Sequence, residues 1–305
     1  MRRVKLPFAL LTAVLGLFLL ALNLYGVFIG LRGPALYDEE SIYYSEETLS
    51  PQQALSALDR LDGEDPPGLI TKATRIIHRS IIPVNFNDLT PEEQEPLHTQ
   101  VPPWENYILY LLNRLRPHPD IFYEFADYRR AVTRGLGQCG QQSLALVDFL
   151  SRKGFETGFV ALNNHVVGTV EVTPGRWVVV DPAYGITIPY SPQDLARNPE
   201  LVDAAYSKVT TRDMKGVYTL RGRLEPKIAY GGARARYPKG TLVERTAYTL
   251  KWLLPFVLLL PFLRYLYRRR FSATSSRPPS ADRPPDDIST PPDGAQKPDR
   301  PAYGP

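Results

Sequence analysis

Residues 135–182 read GLGQCGQQSLALVDFLSRKGFETGFVALNNHVVGTVEVTPGRWVVVDP, and the period of the apolar residues changes partway along. Gln141 to Arg152 is a helix stopped by Lys153-Gly154, and Leu144, Ala145, Leu146, Val147, Phe149 and Leu150 make it apolar on more than one side. A helix of that kind is buried centrally. Phe155 to Leu162, His165 to Val172 and Trp177 to Asp181 are then short runs rich in Val, Phe and Thr, separated by the turn signals Asn163-Asn164 and Thr173-Pro174-Gly175. They predict an antiparallel meander beside the buried helix, an α+β arrangement.

Working outward, Ser50-Pro51, Pro67 to Ile77, Pro103 to Leu115 and Ile121 to Thr133 read as helices before the motif, several with proline near the start. Trp104, Tyr107, Leu111 and Leu115 share one face of the third and are expected in the core. Beyond the motif, Ser191-Pro192 and Asn198-Pro199 open two short helices, and Val217 to Tyr230 holds a strand or two.

Further out lie two apolar segments. Pro7 to Leu31 has no charge over 25 residues, enough to span a bilayer as a helix and too long for the apolar core of a cleaved signal peptide. Thr246 to Tyr267 is the second: its uncharged heart, Trp252 to Leu263, is short and holds Pro255 and Pro261, but Lys251 and Arg264 can snorkel, Trp252, Tyr265 and Tyr267 suit the interfaces, and Arg268 to Arg270 form a stop. Arg2, Arg3 and Lys5 precede the first segment and the arginine triplet follows the second, so the positive-inside rule places both termini in the cytoplasm of a two-pass plasma membrane protein. The expected order is a cytoplasmic stub (1–6), a membrane helix (7–31), an extracytoplasmic domain (35–242), a second membrane helix (246–267) and a cytoplasmic tail (272–305). That tail has nine prolines in 34 residues and few large apolar side chains, the composition of a disordered segment.

Charge follows the same division. The formal net charge is +4; residues 1–33 carry +4, residues 246–305 carry +4 from nine bases and five acids, and the middle carries −4. The basic character therefore belongs to the ends, and a nucleic-acid interface, which needs a basic stripe on the folded domain, is excluded.

The lone cysteine removes any disulfide framework and any multi-cysteine metal site. Cys139 stands instead on the first turn of a helix, behind Gly135 and Gly137, where the positive end of the backbone dipole favours thiolate and glycine lets a substrate approach. His165 opens a strand, and Asp181 ends the next one after Val178-Val179-Val180. A buried acid there needs a partner. If the hairpin loop has three residues, Val172 faces Arg176, paired numbers sum to 348, and Asp181 lies opposite Val167 on the face of His165. A two-residue loop changes the sum to 349 and sends the two to opposite faces, so the pair requires an odd loop or a bulge.

With that geometry the thiolate attacks a carbonyl, His165 carries the proton to the leaving amine, and Asp181 holds the imidazole tautomer. The Cys139 N–H is one oxyanion donor; Trp104, Gln100 and Asn106 are the candidates for a second. Tyr184 and Asn164 flank the triad. His78, His98 and His118 lack the H-x-x-x-H and H-E-x-x-H spacings, so neither metal nor cofactor is expected.

Gly137-Gln138-Cys139, His165 and Trp177 to Asp181-Pro182 together resemble the transglutaminase-like superfamily over about residues 110–190. The resemblance implies a papain-like α+β core with Cys, His and Asp in that chain order, acting as cysteine protease, amidase or acyltransferase on a peptide or amide substrate. One departure is Gly140, where protein-crosslinking transglutaminases carry Trp. Members without activity imply the alternative, a binding or assembly module with protein partners in the cell envelope.

Overall fold

The computed structural model describes residues 5–37, 48–84, 89–115, 124–218, 227–233 and 237–274. The first long helix, α1, spans Leu6–Ile29. Short helices then begin where a side chain satisfies the free N–H groups of the first turn. Ser50 makes a capping box with Gln53 at α2 (Pro51–Asp59), Asp65 accepts from Gly68 at α3 (Pro66–Ser80), and after β1 (Ile82–Pro83) Thr90 makes a box with Glu93 at α4 (Pro91–Gln94).

The next helix, α5 (Pro103–Arg114), is kinked at Asn106, whose φ is −157° and ψ is 96°. The Asn106 Oδ1 accepts from the N–H groups of Ile108 and Leu109 and so caps the second part. That kink turns the helix face partway along. Tyr107 and Leu109 are buried, whereas Leu111 and Leu115 are exposed, which corrects the single apolar stripe expected from Trp104 to Leu115. The helix expected over Ile121 to Thr133 is shorter, α6 at Tyr128–Arg134; Asp127 caps it, and residues 121–123 lie outside the described residues.

Leu136–Gly137 forms β2, which pairs in parallel with β1. The buried helix α7 follows at Cys139–Arg152. Strands β3 (Thr157–Leu162), β4 (His165–Thr173), β5 (Arg176–Asp181) and β6 (Ile186–Ile188) come next. After α8 (Pro192–Arg197), α9 (Pro199–Tyr206) and α10 (Met214–Tyr218), β7 (Lys227–Tyr230) completes a sheet of order β6-β5-β4-β3-β7, antiparallel throughout. The short pair β1–β2 and strand β6 had no period long enough to be seen in the sequence.

The sheet is a middle layer. Val170, Val178 and Val180 point to one face, where they pack with Ile77 of α3 and Ala145, Leu146, Phe149 and Leu150 of α7. Val160, Val167 and Val179 point to the other, against Leu195, Val202, Tyr206, Met214 and Val217 of α8 to α10. Each such fully buried side chain contributes roughly 1.5–3 kcal/mol relative to exposure. Gly168 lets α7 approach closely, since a Cβ there would stand 2.8 Å from Val180 Cγ2 and 3.1 Å from Val147 Cγ2.

The last helix, α11, runs from Pro238 to Thr274 and is longer at both ends than the 246–267 segment read from the sequence. Its first turns belong to the domain: the Glu244 carboxylate accepts from the Ala126 N–H at 2.7 Å and pairs with Arg130 at 2.5 Å, and Ala247 joins the main core. Domain and anchor therefore overlap over 238–247, rather than parting at 242. Pro255 and Pro261 lie inside the helix without ending it, as membrane helices tolerate. The helix packs along α1, where a Cβ on Gly16 would stand 2.8 Å from the Pro255 carbonyl oxygen. Both α1 and α11 are long and apolar enough to cross a membrane. Lys251 does not snorkel: it is 5% exposed and its Nζ donates to the Glu105 carbonyl at 2.6 Å. The tail expected at 272–305 lies outside the described residues from 275 onward.

Candidate active site

Two neighbouring contacts place the cysteine. Gly137 leads into α7 so tightly that a Cβ would stand 2.5 Å from the Gln141 side chain. One turn along α7, Ser143 donates to the Val166 carbonyl at 3.0 Å. Residues four apart share a helix face, and Val166 is the neighbour of His165, so this bond sets Cys139 beside the imidazole. Gln138 makes no capping hydrogen bond, and the Glu124 carboxylate stands beside the first turn of α7 at Gly140. Cys139 is partly exposed.

The other two groups arrive through the register of β4 and β5. Pairing runs from Gly168 with Val180 to Glu171 with Trp177, numbers that sum to 348, and then shifts so that Thr173 pairs with Arg176. Pro174 and Gly175, the latter at φ 79°, thus form a two-residue turn, and Val172 is the extra residue of a bulge that restores the phase. The register carried one step further sets Asp181 opposite Val167, on the face of His165. Nε2 of His165 lies 2.8 Å from Asp181 Oδ2, and the Cys139 side chain is close enough to act on the ring. With Nε2 taken, Nδ1 is the nitrogen left for the sulfur. Helix α7 covers the opposite sheet face, and His165 is the first residue of β4, at its open end.

Both polar partners are deeply placed, with His165 5% exposed and Asp181 0%. Burial opposes a charge on His165, but hydrogen bonds to Asp181 and Cys139 and the charges of both outweigh it and lift the imidazole to about 9. The ring is therefore charged at neutral pH.

The carboxylate has two further donors. The Ala183 N–H donates to Oδ1 at 3.0 Å, and the Tyr206 hydroxyl donates to Oδ2 at 2.7 Å. Tyr206 in turn lies 3.0 Å from the Tyr218 hydroxyl. Burial first, and then the Asp181 charge, push both phenols above their ordinary range, so they stay protonated donors. Neither tyrosine was identified from the sequence: each sits on a short amphipathic helix 25 residues or more beyond Asp181, and an aromatic there reads as core. Tyr184 stacks edge-on to His165, ring centroids 5.8 Å apart. Asn164 holds the turn before it at φ 55°. His78, read as an ordinary structural histidine, meets the Pro182 carbonyl at 2.9 Å through Nδ1 and so ties down the segment after Asp181. His118 lies outside the described residues.

Two of the candidates for a second oxyanion donor, Trp104 and Asn106, are engaged in other contacts. The Trp104 ring sits against His98 and Tyr25, 5.6 and 6.3 Å away, and Asn106 caps the α5 kink. Gln100 lies in the bend before α5. At Gly140 a Cβ would stand 2.5 Å from Glu124 Oε1, so a bulky side chain there has to displace that carboxylate. Comparison with family models, with curated proteins and with solved structures finds no match to this chain.

Proposed function

We propose that this chain is a membrane-anchored thiol enzyme of transglutaminase-like type, which cleaves or transfers the acyl group of an amide outside the membrane. The observation that carries the reading is the buried His165–Asp181 pair beside Cys139 at the N-terminus of a buried helix. A cysteine-bearing helix laid on a sheet that supplies His and Asp in that chain order also supports a papain-like core. The charge pattern of the ends supports a two-pass orientation with both termini in the cytoplasm.

In the first step the sulfur, its proton held on His165, bonds to the carbonyl carbon. The oxyanion is met by the N–H groups at the start of α7, which have no partner within the helix. As the C–N bond breaks, the imidazolium gives its proton to the leaving amine, and a thioester remains. Water or a second amine then attacks the thioester and loses its proton to His165, which frees the thiol. Asp181 keeps Nε2 protonated throughout, so Nδ1 does the proton transfer, while Tyr206 and the Ala183 N–H keep the carboxylate in place.

The test is labelling of the full chain at neutral pH by an electrophilic thiol probe. Wild type reacts, Cys139→Ser does not, and His165→Ala slows labelling by on the order of 10²-fold. Equal rates for wild type and His165→Ala favour the binding or assembly module instead.

A further inference from the structure

A cavity of about 400 Å³ lies where α1 and α11 meet the outer domain, well within the size of small-ligand sites. Its walls are of two kinds. Val27 and Trp252 come from the membrane helices, while Arg129 and Arg130 come from α6, Lys251 from α11 and Glu105 from α5. Three cations and one acid line it, and two of the cations, Arg129 and Arg130, are also paired with Asp59, Glu244 and Asp127 behind the wall. The level is fixed by the apolar segments themselves: Val27 is near the end of the uncharged run of α1, and Trp252 opens the uncharged heart of α11. The cavity therefore stands at a membrane boundary whichever way the chain is oriented, with aromatic and cationic groups at headgroup depth.

Lys251 is the group without an adequate partner. It is 5% exposed, uses one donor on the Glu105 carbonyl, and faces the rings of Tyr248 and Trp252 at 5.2 and 5.5 Å. An ammonium has three donors, and no carboxylate oxygen lies within ion-pair distance of this one among the described residues. A cation so buried wants an anion. Both arginines are held from behind, Arg129 Nη2 by Asp59 at 2.8 Å and Arg130 Nη1 by Glu244 at 2.5 Å, so their guanidinium groups are oriented while other N–H donors remain. Glu105 already accepts from the Tyr248 hydroxyl at 2.9 Å, and it limits the ligand to the cationic side of the cavity.

We propose that this cavity binds the phosphate of an anionic phospholipid, with Lys251, Arg129 and Arg130 on the phosphate and Val27 and Trp252 beside the first part of the acyl chains. The inference rests on α1 and α11 crossing a bilayer, but not on the chemistry of Cys139.

The full chain in neutral detergent is titrated with phosphatidylglycerol, with phosphatidylcholine and with inorganic phosphate, and bound lipid is counted by native mass spectrometry beside thermal unfolding. Phosphatidylglycerol should bind one to one and raise the unfolding temperature, and phosphatidylcholine should do neither. Lys251→Met and Arg129→Gln should each weaken phosphatidylglycerol about fivefold, the worth of one basic group near a membrane surface, and Lys251→Arg should restore it. Arg129 is on the surface, so its variant carries the test if Lys251→Met does not fold. Displacement of the lipid by millimolar inorganic phosphate, with equal stabilisation by phosphate alone, assigns the site to a free phosphate with the same contacts. Equal binding of the two lipids, or unchanged affinity in both variants, overturns the proposal. Cys139 labelling, measured on the same samples, separates this outcome from failure of the thiol chemistry.

Discussion

The Asp181 carboxylate decides the behaviour of the site, because it accepts from three groups while removed from water. Tyr206 is one of those donors, and its contribution has a definite sign. In Tyr206→Phe the ring volume stays and the hydroxyl goes, so Asp181 holds the His165 N–H more strongly and the titration of His165 moves upward from about 9. The buried oxygen also loses a donor, which costs about 1–3 kcal/mol of stability in chemical denaturation. A purely packing role for Tyr206 would leave the titration in place. His165 adds a pH dependence of its own. Its folded value of about 9 stands above the ordinary 6.5, so the charged ring stabilises the fold fully below about 6.5, and that contribution is lost as pH rises through about 9. Unfolding midpoints measured from pH 6 to 10 should fall across that interval, and fall less in Asp181→Asn.

Elements are held to this site by close backbone approach. Gly168 sits where β4 passes under α7, and Gly168→Val puts a side chain against Val180 and Val147. The helix has to shift, at a cost of roughly 1–3 kcal/mol, and Cys139 moves with it. Labelling of Cys139 in Gly168→Val should slow at least tenfold in protein that still unfolds cooperatively; unchanged labelling would show that the helix position is set elsewhere. Much of this level was legible in the sequence, since cap residues and turn signals act locally: Ser50-Pro51, Ser191-Pro192 and Thr173 to Gly175 each mark a boundary of a described element. The register sum of 348 was legible too, as one of two alternatives, with an odd loop or a bulge as the ways to reach it; that the bulge falls at Val172 was not. Which face α5 buries was illegible, because the kink at Asn106 comes from a side chain capping its own helix. The contacts of Tyr206 and His78 with the strand end were illegible because they join residues 25 and 104 apart.

Over the whole molecule, two apolar helices pack on each other and the domain is fastened to both. The Lys251 carbonyl accepts from the Asn23 amide at 2.6 Å and from the Tyr107 hydroxyl at 2.9 Å, so α1, α5 and α11 meet at one point. If α1 and α11 cross a bilayer as proposed, such a fastening holds the domain close to it. The proposed orientation, with both ends in the cytoplasm, is checked by tags in sealed, right-side-out cells. A tag after Pro305 should be protected from added protease, and one in the domain should be cut; the reverse pattern would place the thiol in the cytoplasm.

The account stands on a sulfur, a ring and a carboxylate in mutual contact. Nitrogen-15 NMR of histidine-labelled full chain in detergent reads that contact at the ring itself, with four histidines to assign by substitution. His165 should titrate near 9, with Nε2 as the protonated nitrogen of its neutral form, and both Cys139→Ala and Asp181→Asn should lower the midpoint. A midpoint at the ordinary 6.5 that neither substitution moves would contradict the account.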